Sequence, residues 1–215
     1  MTALTERFAR AVDYARTAHA GQTRKGTAIP YITHLLGVAA LVLEFGGDED
    51  QAIAGLLHDT LEDCGAHHEP IIRQQFGARV ADIVLACTDG TAEAKGSHTD
   101  PEAKRREWLA RKQAYLAHLA EASDDVLLVS ACDKLHNARA IVQDIEDPSV
   151  GLAVFERFKA GQEGTLAYYE SLARQFVESC VAPAPAIDSC VSAMHALSGS
   201  RSRVPLIALS NNDRH

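Results

Sequence analysis

Residues 48–63 read DEDQAIAGLLHDTLED, and the fold turns on this stretch. Asp48 stands where a helix cap belongs, and the apolar residues that follow read at helical period with no strand-like alternation. One helix over 48–63 is therefore predicted. It is largely apolar through Ala54-Gly55-Leu56-Leu57 and then delivers two polar residues, His58 and Asp59. Burying that pair without partners would be costly. A satisfied core histidine is the ordinary explanation of one such dipeptide, so the pair needs support from elsewhere in the chain.

Working upstream, Leu4, Phe8, Val12, Ala15 and His19 form one stripe of an amphipathic helix over residues 4–20. Gly21 to Ile29 is a polar, basic loop. Pro30 opens a second helix, apolar almost all round and closed by Gly46-Gly47, which marks it as buried. Downstream, Pro70–Phe76 is a short helix stopped by Gly77, and ARVADIVLACTD is another. Residues 89–100 form a polar loop of a kind that is often mobile and functional. Asp100-Pro101 start a long charged helix to about Ala122; a further helix from Asp124 or Asp125 carries VLLVSACDKLHNARAIVQDIE, and Ser149 to Cys180 holds one or two more. VAPAPA at 181–186 reads as a linker, followed by a possible short helix, IDSCVSAMHAL, and a tail without helical period. With no internal repeat and no β alternation, the expected fold is all-α. The expected domains are 1–180 and an appendage over 181–215 consisting of linker, short helix and flexible tail.

Composition bounds the function. A chain of 215 residues and 23.2 kDa, 47% hydrophobic and 23% charged, is a globular domain with ample core. The net charge of −8 and pI near 5.6 argue against a general nucleic-acid binder, while local Arg and Lys clusters still allow a small anionic substrate. The amphipathic N-terminus is no signal peptide, and no apolar run is long enough to span a bilayer. Five cysteines without CxxC spacing read as reduced thiols. The expectation is a soluble cytoplasmic protein with no membrane or nucleic-acid partner.

Two further polar residues change the reading of His58-Asp59. His34 sits inside the buried second helix, and Asp133 follows the apolar run VLLVSAC with only Lys134 as a local cation. Three helices thus each bring candidate ligands to an interior, and His34, His58, Asp59 and Asp133 together suit a divalent transition metal such as Mn, Fe or Zn with positions left for water. Glu62 and Asp63 lie four residues beyond His58 and Asp59 on the same helix face, where carboxylates could manage the proton of a reacting water; a solvated helix end is the alternative. Asn137 follows Asp133 by one helical turn, whereas Arg139 lies roughly 200° further round, so that a structural role is open to it. Arg24 and Lys25, between the glycines of GQTRKGTAIPY, could receive phosphates or stack on a base, with a solvated loop as the alternative.

The order AHAGQTRKGTAIPYITH, LLHDTLED, FGARVADIVLACTD, DKLHNAR resembles the hydrolase domain of RelA/SpoT-type proteins, members of the HD-domain superfamily of metal phosphohydrolases. The resemblance covers about residues 5–178, and the chain is similar to a stand-alone small alarmone hydrolase. It implies an HD-type helical bundle with a buried divalent metal, usually Mn²⁺, held by His34, His58, Asp59 and Asp133. It implies catalytic roles for Glu62 and Asp63 in positioning or activating the attacking water. Arg24 and Lys25 match the pair that packs around the base and neighbouring phosphates, and Asn137 matches the residue that contacts the ribose; Arg139 is grouped with them as substrate-binding. The implied reaction removes the 3′-pyrophosphate of (p)ppGpp. Apart from the resemblance, one or two of Lys104, Arg105, Arg106, Arg157 and Lys159 could hold the diphosphates, with a solvated helix face as the reading for most of them. Two positions depart from the pattern: Cys132 stands where the family usually has Ala, and Ala140 stands where longer relatives carry a polar residue near the base. The second departure makes an adenosine analogue, (p)ppApp, an alternative substrate; a broader nucleotide phosphohydrolase and a binding-only module are the other rivals.

Overall fold

Asp48 caps its helix reciprocally: its carboxylate accepts from the Gln51 backbone N–H at 3.0 Å, and the Asp48 backbone N–H donates to the Gln51 side chain at 2.8 Å. Two donors that a helix start leaves open are thereby satisfied. The structure is a computed structural model and describes residues 2–88 and 100–208. Its α-helices are α1 (Glu6–Ala18), α2 (Ile32–Glu44), α3 (Glu49–Leu57), α4 (Thr60–Cys64), α5 (His68–Phe76), α6 (Ala78–Cys87), α7 (Pro101–Ala120), α8 (Asp124–Glu146), α9 (Gly161–Glu178) and α10 (Ala184–Leu197). A 3₁₀ helix spans Gly151–Arg157. No strand occurs among the described residues, which hold only an isolated bridge between Thr23 and Pro30. The all-α expectation is met; the expected mobile loop, apart from Asp100, lies outside the described residues.

The stretch 48–63 is two helices, not one. α3 ends at Leu57 and α4 begins at Thr60, with Asp59 at φ −92° and ψ −4°, in the sparsely populated bridge region. The reason is geometric. Consecutive side chains on a continuous helix diverge by about 100°, whereas here His58 Nε2 and Asp59 Oδ2 converge to 3.0 Å. The bend leaves the next turn intact, since Asp63 N–H still donates to the Asp59 carbonyl at 2.9 Å. Pro30 likewise does not open α2: it ends the preceding loop, and its carbonyl accepts from the backbone N–H and hydroxyl of Thr33.

The chain divides into two compact units, Met1–Gly96 with Ala122–His136, and Ser97–Glu121 with Asn137–His215. The division falls within α8. In the first unit α3 packs on α1, α2 and α6, and α5 packs on α6. Gln51 to Leu57 are all buried, and Leu35, Ile53, Leu56, Leu57, Ile72, Phe76 and Leu135 are among its largest fully enclosed side chains. α2 is not buried all round as expected, because Leu36 is exposed. Gly55 faces α2: a Cβ there would be in contact with Ala39, Val38 and Val42 at 3.4 Å, leaving no room for a longer side chain. Gly77, at φ +97°, ends α5 and turns directly into α6, a conformation that side chains with a Cβ adopt only under strain.

In the second unit α9 packs on α7, α10 and the 3₁₀ helix. Of the segment read as a linker, 181–183 are coil and turn while 184–186 begin α10, in which Ala184 and Ile187 are buried. The described part of the tail is built into this unit: Leu206 is fully buried, and Arg203 donates to Glu170 and Asp188 at 2.5 Å each. Helical period cannot reveal such a segment, since its anchors are one charged residue on irregular backbone and one apolar residue at the start of a helical turn.

Candidate metal centre

α2, the α3–α4 bend and α8 bring four side chains of the first unit together. Donor atoms of His34, His58 and Asp59 all lie within 4.8 Å of one another. Asp133 Oδ1 is 3.2 Å from His34 Nε2 and 3.5 Å from His58 Nε2. All four predicted ligands therefore meet, and the imidazoles are almost fully buried.

The Nε2 atoms of His34 and His58 make no hydrogen bond, although carboxylate oxygens stand 3.0–3.6 Å away. Buried polar atoms are ordinarily satisfied. Two imidazole nitrogens aimed among carboxylate oxygens, close but misaligned for hydrogen bonding, fit a cation that accepts lone pairs from all of them. Charge agrees with this. Burial would push His58 down, but Asp59 and Asp133 reverse that and hold it well above the usual imidazole range. Burial would raise both carboxyls; His58 and His34 hold Asp59 well below the usual range, and Lys134 with the same two imidazoles does so for Asp133. The cluster thus demands positive charge, which a proton on His58 or a divalent cation can supply.

The polar surroundings orient these groups. His58 Nδ1 donates to the Gly55 carbonyl at 2.8 Å, leaving Nε2 as the lone-pair nitrogen. Tyr31 donates its hydroxyl to Asp59 Oδ2 at 2.5 Å and stacks on His19. Burial and Asp59 hold the Tyr31 phenol far above its usual range, so it stays a donor. Lys134 Nζ donates to Asp133 Oδ2 at 2.6 Å, and His34 Nδ1 meets His136 Nδ1 at 3.0 Å. Tyr31 and His136 escaped the sequence reading, because what marks them is a contact across helices; their positions, three residues before His34 and three after Asp133, put them on the ligand-bearing faces.

The remaining candidates lie elsewhere in the first unit or in the second. Glu62, half-buried, and Asp63, exposed, occupy α4 in the turn after the bend. Arg24, half-buried, and Lys25, exposed, lie on a loop that folds back on itself: Arg24 N–H donates to the Ile29 carbonyl at 2.8 Å and Tyr31 N–H to Gln22 at 3.0 Å. Asn137 and Arg139 belong to the second unit's part of α8, the former half-buried and the latter exposed. Within that unit Lys104, Arg105 and Lys159 join Trp108, Leu109, Glu163, Gly164 and Leu206 around a cavity of about 500 Å³. Arg157 instead pairs with Asp144 at 2.6 Å, and Arg106 pairs with Glu102 on its own helix. Tyr168 and Tyr169 are buried in α9. Cys132, beside Asp133, is fully enclosed. No helix among the described residues is long and apolar enough to cross a membrane.

With this geometry in hand, comparison with known proteins is informative. The HD domain profile matches residues 11–166. The guanosine-3′,5′-bis(diphosphate) 3′-pyrophosphohydrolase of Aquifex aeolicus is 36% identical over 138 residues, which are 63% of this chain and 18% of that protein. The guanosine-3′,5′-bis(diphosphate) 3′-pyrophosphohydrolase MESH1 of Xenopus tropicalis is 36% identical over 132 residues, 60% of this chain and 66% of that protein. The chain thus spans less than a fifth of the Aquifex relative. A solved structure described as a metazoan ortholog of SpoT that hydrolyses ppGpp superposes with a TM-score of 0.69 at 21% identity, covering 93% of this chain and 99% of the other. A second, from Listeria monocytogenes, gives 0.57 at 23% identity over 80% of this chain and 97% of the other. At those identities the two structures speak for the fold.

Proposed function

The chain belongs to the HD-domain family, and on that premise we propose that it is a (p)ppGpp 3′-pyrophosphohydrolase, converting the alarmone to GDP or GTP and pyrophosphate in the cytoplasm. The observation that carries the proposal is the buried meeting of two imidazole nitrogens without hydrogen bonds and two carboxylates held anionic. Support also comes from the Aquifex and Xenopus relatives, which bear the name of this activity.

In the proposed site His34, His58, Asp59 and Asp133 would hold one divalent cation, assigned as Mn²⁺. Such a cation supplies positive charge to a phosphoryl oxygen and makes water acidic enough to attack near neutral pH. Glu62 and Asp63 hold the water and take its proton while its oxygen bonds to the phosphorus carried on ribose O3′. The P–O3′ bond breaks, the proton taken from the water is passed on to O3′, which leaves as the ribose hydroxyl, and pyrophosphate is released. Arg24 and Lys25 hold base and phosphates, and Asn137 and Arg139 are assigned to the nucleotide as well.

A second substrate, (p)ppApp, is favoured by one observation: position 140 is alanine, which offers no hydrogen bond to read a guanine edge. Product analysis with Mn²⁺ on ppGpp and ppApp, beside a 5′-nucleotide, tests the assignment. Pyrophosphate with GDP or ADP upholds it, and the ratio of rates fixes the base. Phosphate from the 5′-nucleotide alone would move the protein to the nucleotidases.

A further inference from the structure

His34 differs from His58 in how its ring is held. His58 Nδ1 donates to the Gly55 carbonyl three residues earlier on its own helix. The equivalent carbonyl for His34, that of Tyr31, already accepts the His34 backbone N–H at 2.9 Å. Its Nδ1 instead reaches across to α8, where His136 Nδ1 lies 3.0 Å away. Asp133 and His136 stand three residues apart, on one face of that helix. α8 therefore addresses both nitrogens of one ring, with Asp133 Oδ1 at 3.2 Å from Nε2 and His136 at Nδ1.

Room for this arrangement is made by Gly37. It lies three residues after His34 on α2, and a Cβ there would sit 2.3 Å from His136 Nε2 and 2.4 Å from its Cδ2. A mid-helix glycine is ordinarily a liability of about 1 kcal/mol against alanine, so its presence calls for a packing reason. The His136 ring supplies one: pinned at Nδ1, it cannot move aside without giving up the contact with His34.

We propose that His136, seated against Gly37, is the positioning residue of this centre, fixing His34 in the tautomer with Nδ1 protonated so that Nε2 carries a lone pair for the cation. Two neutral imidazoles facing through their Nδ1 atoms share one proton between them. With His34 as the donor, His136 accepts at Nδ1 and carries its own proton on Nε2. Partners of this kind typically change metal affinity by roughly 10–100-fold when lost. The inference rests on the metal-site reading above, and its test separates the two.

The measurement is the affinity of the purified full chain for Mn²⁺ and Co²⁺ by calorimetry, with the Co²⁺ absorption spectrum as an independent view of the ligand field. His136→Phe keeps a ring without an acceptor and should weaken binding by roughly 10-fold or more. His136→Gln retains an acceptor and should recover part of the loss. Gly37→Ala should weaken binding as well, while the metal-free protein melts no lower than wild type. ¹⁵N spectra of labelled histidine should show His34 with a protonated Nδ1 in the wild type and a mixture in His136→Phe. Wild-type affinity in both His136→Phe and Gly37→Ala, or a His34 tautomer unchanged in the former, would overturn the positioning role. A wild-type chain that binds neither ion would instead overturn the metal reading beneath it.

Discussion

Tyr31 and the Glu62–Asp63 pair separate two kinds of dependence at the candidate centre. The Tyr31 hydroxyl donates to Asp59 Oδ2, the oxygen that also lies 3.0 Å from His58 Nε2. Tyr31→Phe removes that donor while keeping the ring that stacks on His19, so the fold should stand and metal affinity should fall by roughly 10-fold, as calorimetry would report. Glu62 and Asp63 carry no ligand role in the proposal. Their joint replacement by Gln and Asn should leave metal content at wild-type level and lower turnover by roughly 10²–10⁴-fold. A double variant that binds metal and turns over normally would remove these residues from the mechanism. The four ligand candidates were legible in the sequence because each is a polar residue on an otherwise apolar helix. Tyr31 and His136 were not, because a tyrosine just before a helix or a histidine within one is unremarkable until the facing helix is known.

Among the elements, α3 does most to place the site, since its end delivers His58 and Asp59. It starts on the Asp48 cap, which also pairs with Arg79 at 2.6 Å. Asp48→Ala should destabilise the protein by about 1–2 kcal/mol, seen as a lower urea midpoint with unchanged slope. At Gly55 α3 faces α2, and a Cβ there would fill the remaining space against three neighbours. Gly55→Leu should be worse than Asp48→Ala, because overpacking of a closed core adds about 1–3 kcal/mol to any local loss, and comparison of the two midpoints checks the order. Helix existence was readable here from period and caps. The bend at His58-Asp59 was not, because its cause is the convergence of two side chains on partners from α2 and α8, and no local propensity encodes that. The same holds for α10, where proline and alanine read as a linker although Pro183 is the N-cap residue and Pro185 falls in the first turn, where proline is tolerated.

At the scale of the whole molecule, the second unit depends on its last described residues. Glu170 is 2% exposed and bonded to Arg174 and Arg203. Burial would raise its carboxyl, but the two guanidinium groups hold it below the usual range. A depressed folded value means that this stabilisation is present above the ordinary carboxylate pKa of about 4.3 and is lost as pH falls through the lower folded value. Arg203→Ala should therefore destabilise by about 2 kcal/mol at neutral pH. The gap from wild type should close in acid, which urea titrations at several pH values would reveal. A gap constant down to pH 3 would show that Arg203 acts by packing alone. Leu206, wholly enclosed, ties the same segment to the unit by its apolar side chain.

The first unit is not continuous in the chain: Met1–Gly96 is completed by Ala122–His136. A growing chain therefore presents His34, His58 and Asp59 well before Asp133 and His136 exist, with all of α7 to be synthesised in between. At about 5–20 residues per second that interval lasts some seconds. Throughout it the nascent centre offers two imidazoles and one carboxylate, without the carboxylate and ring that α8 brings. On the proposed assignment, the order of synthesis would place the last ligand and the residue that steers His34 in the same late segment, so a cation met early would be held loosely and final metal selection would coincide with closure of the unit.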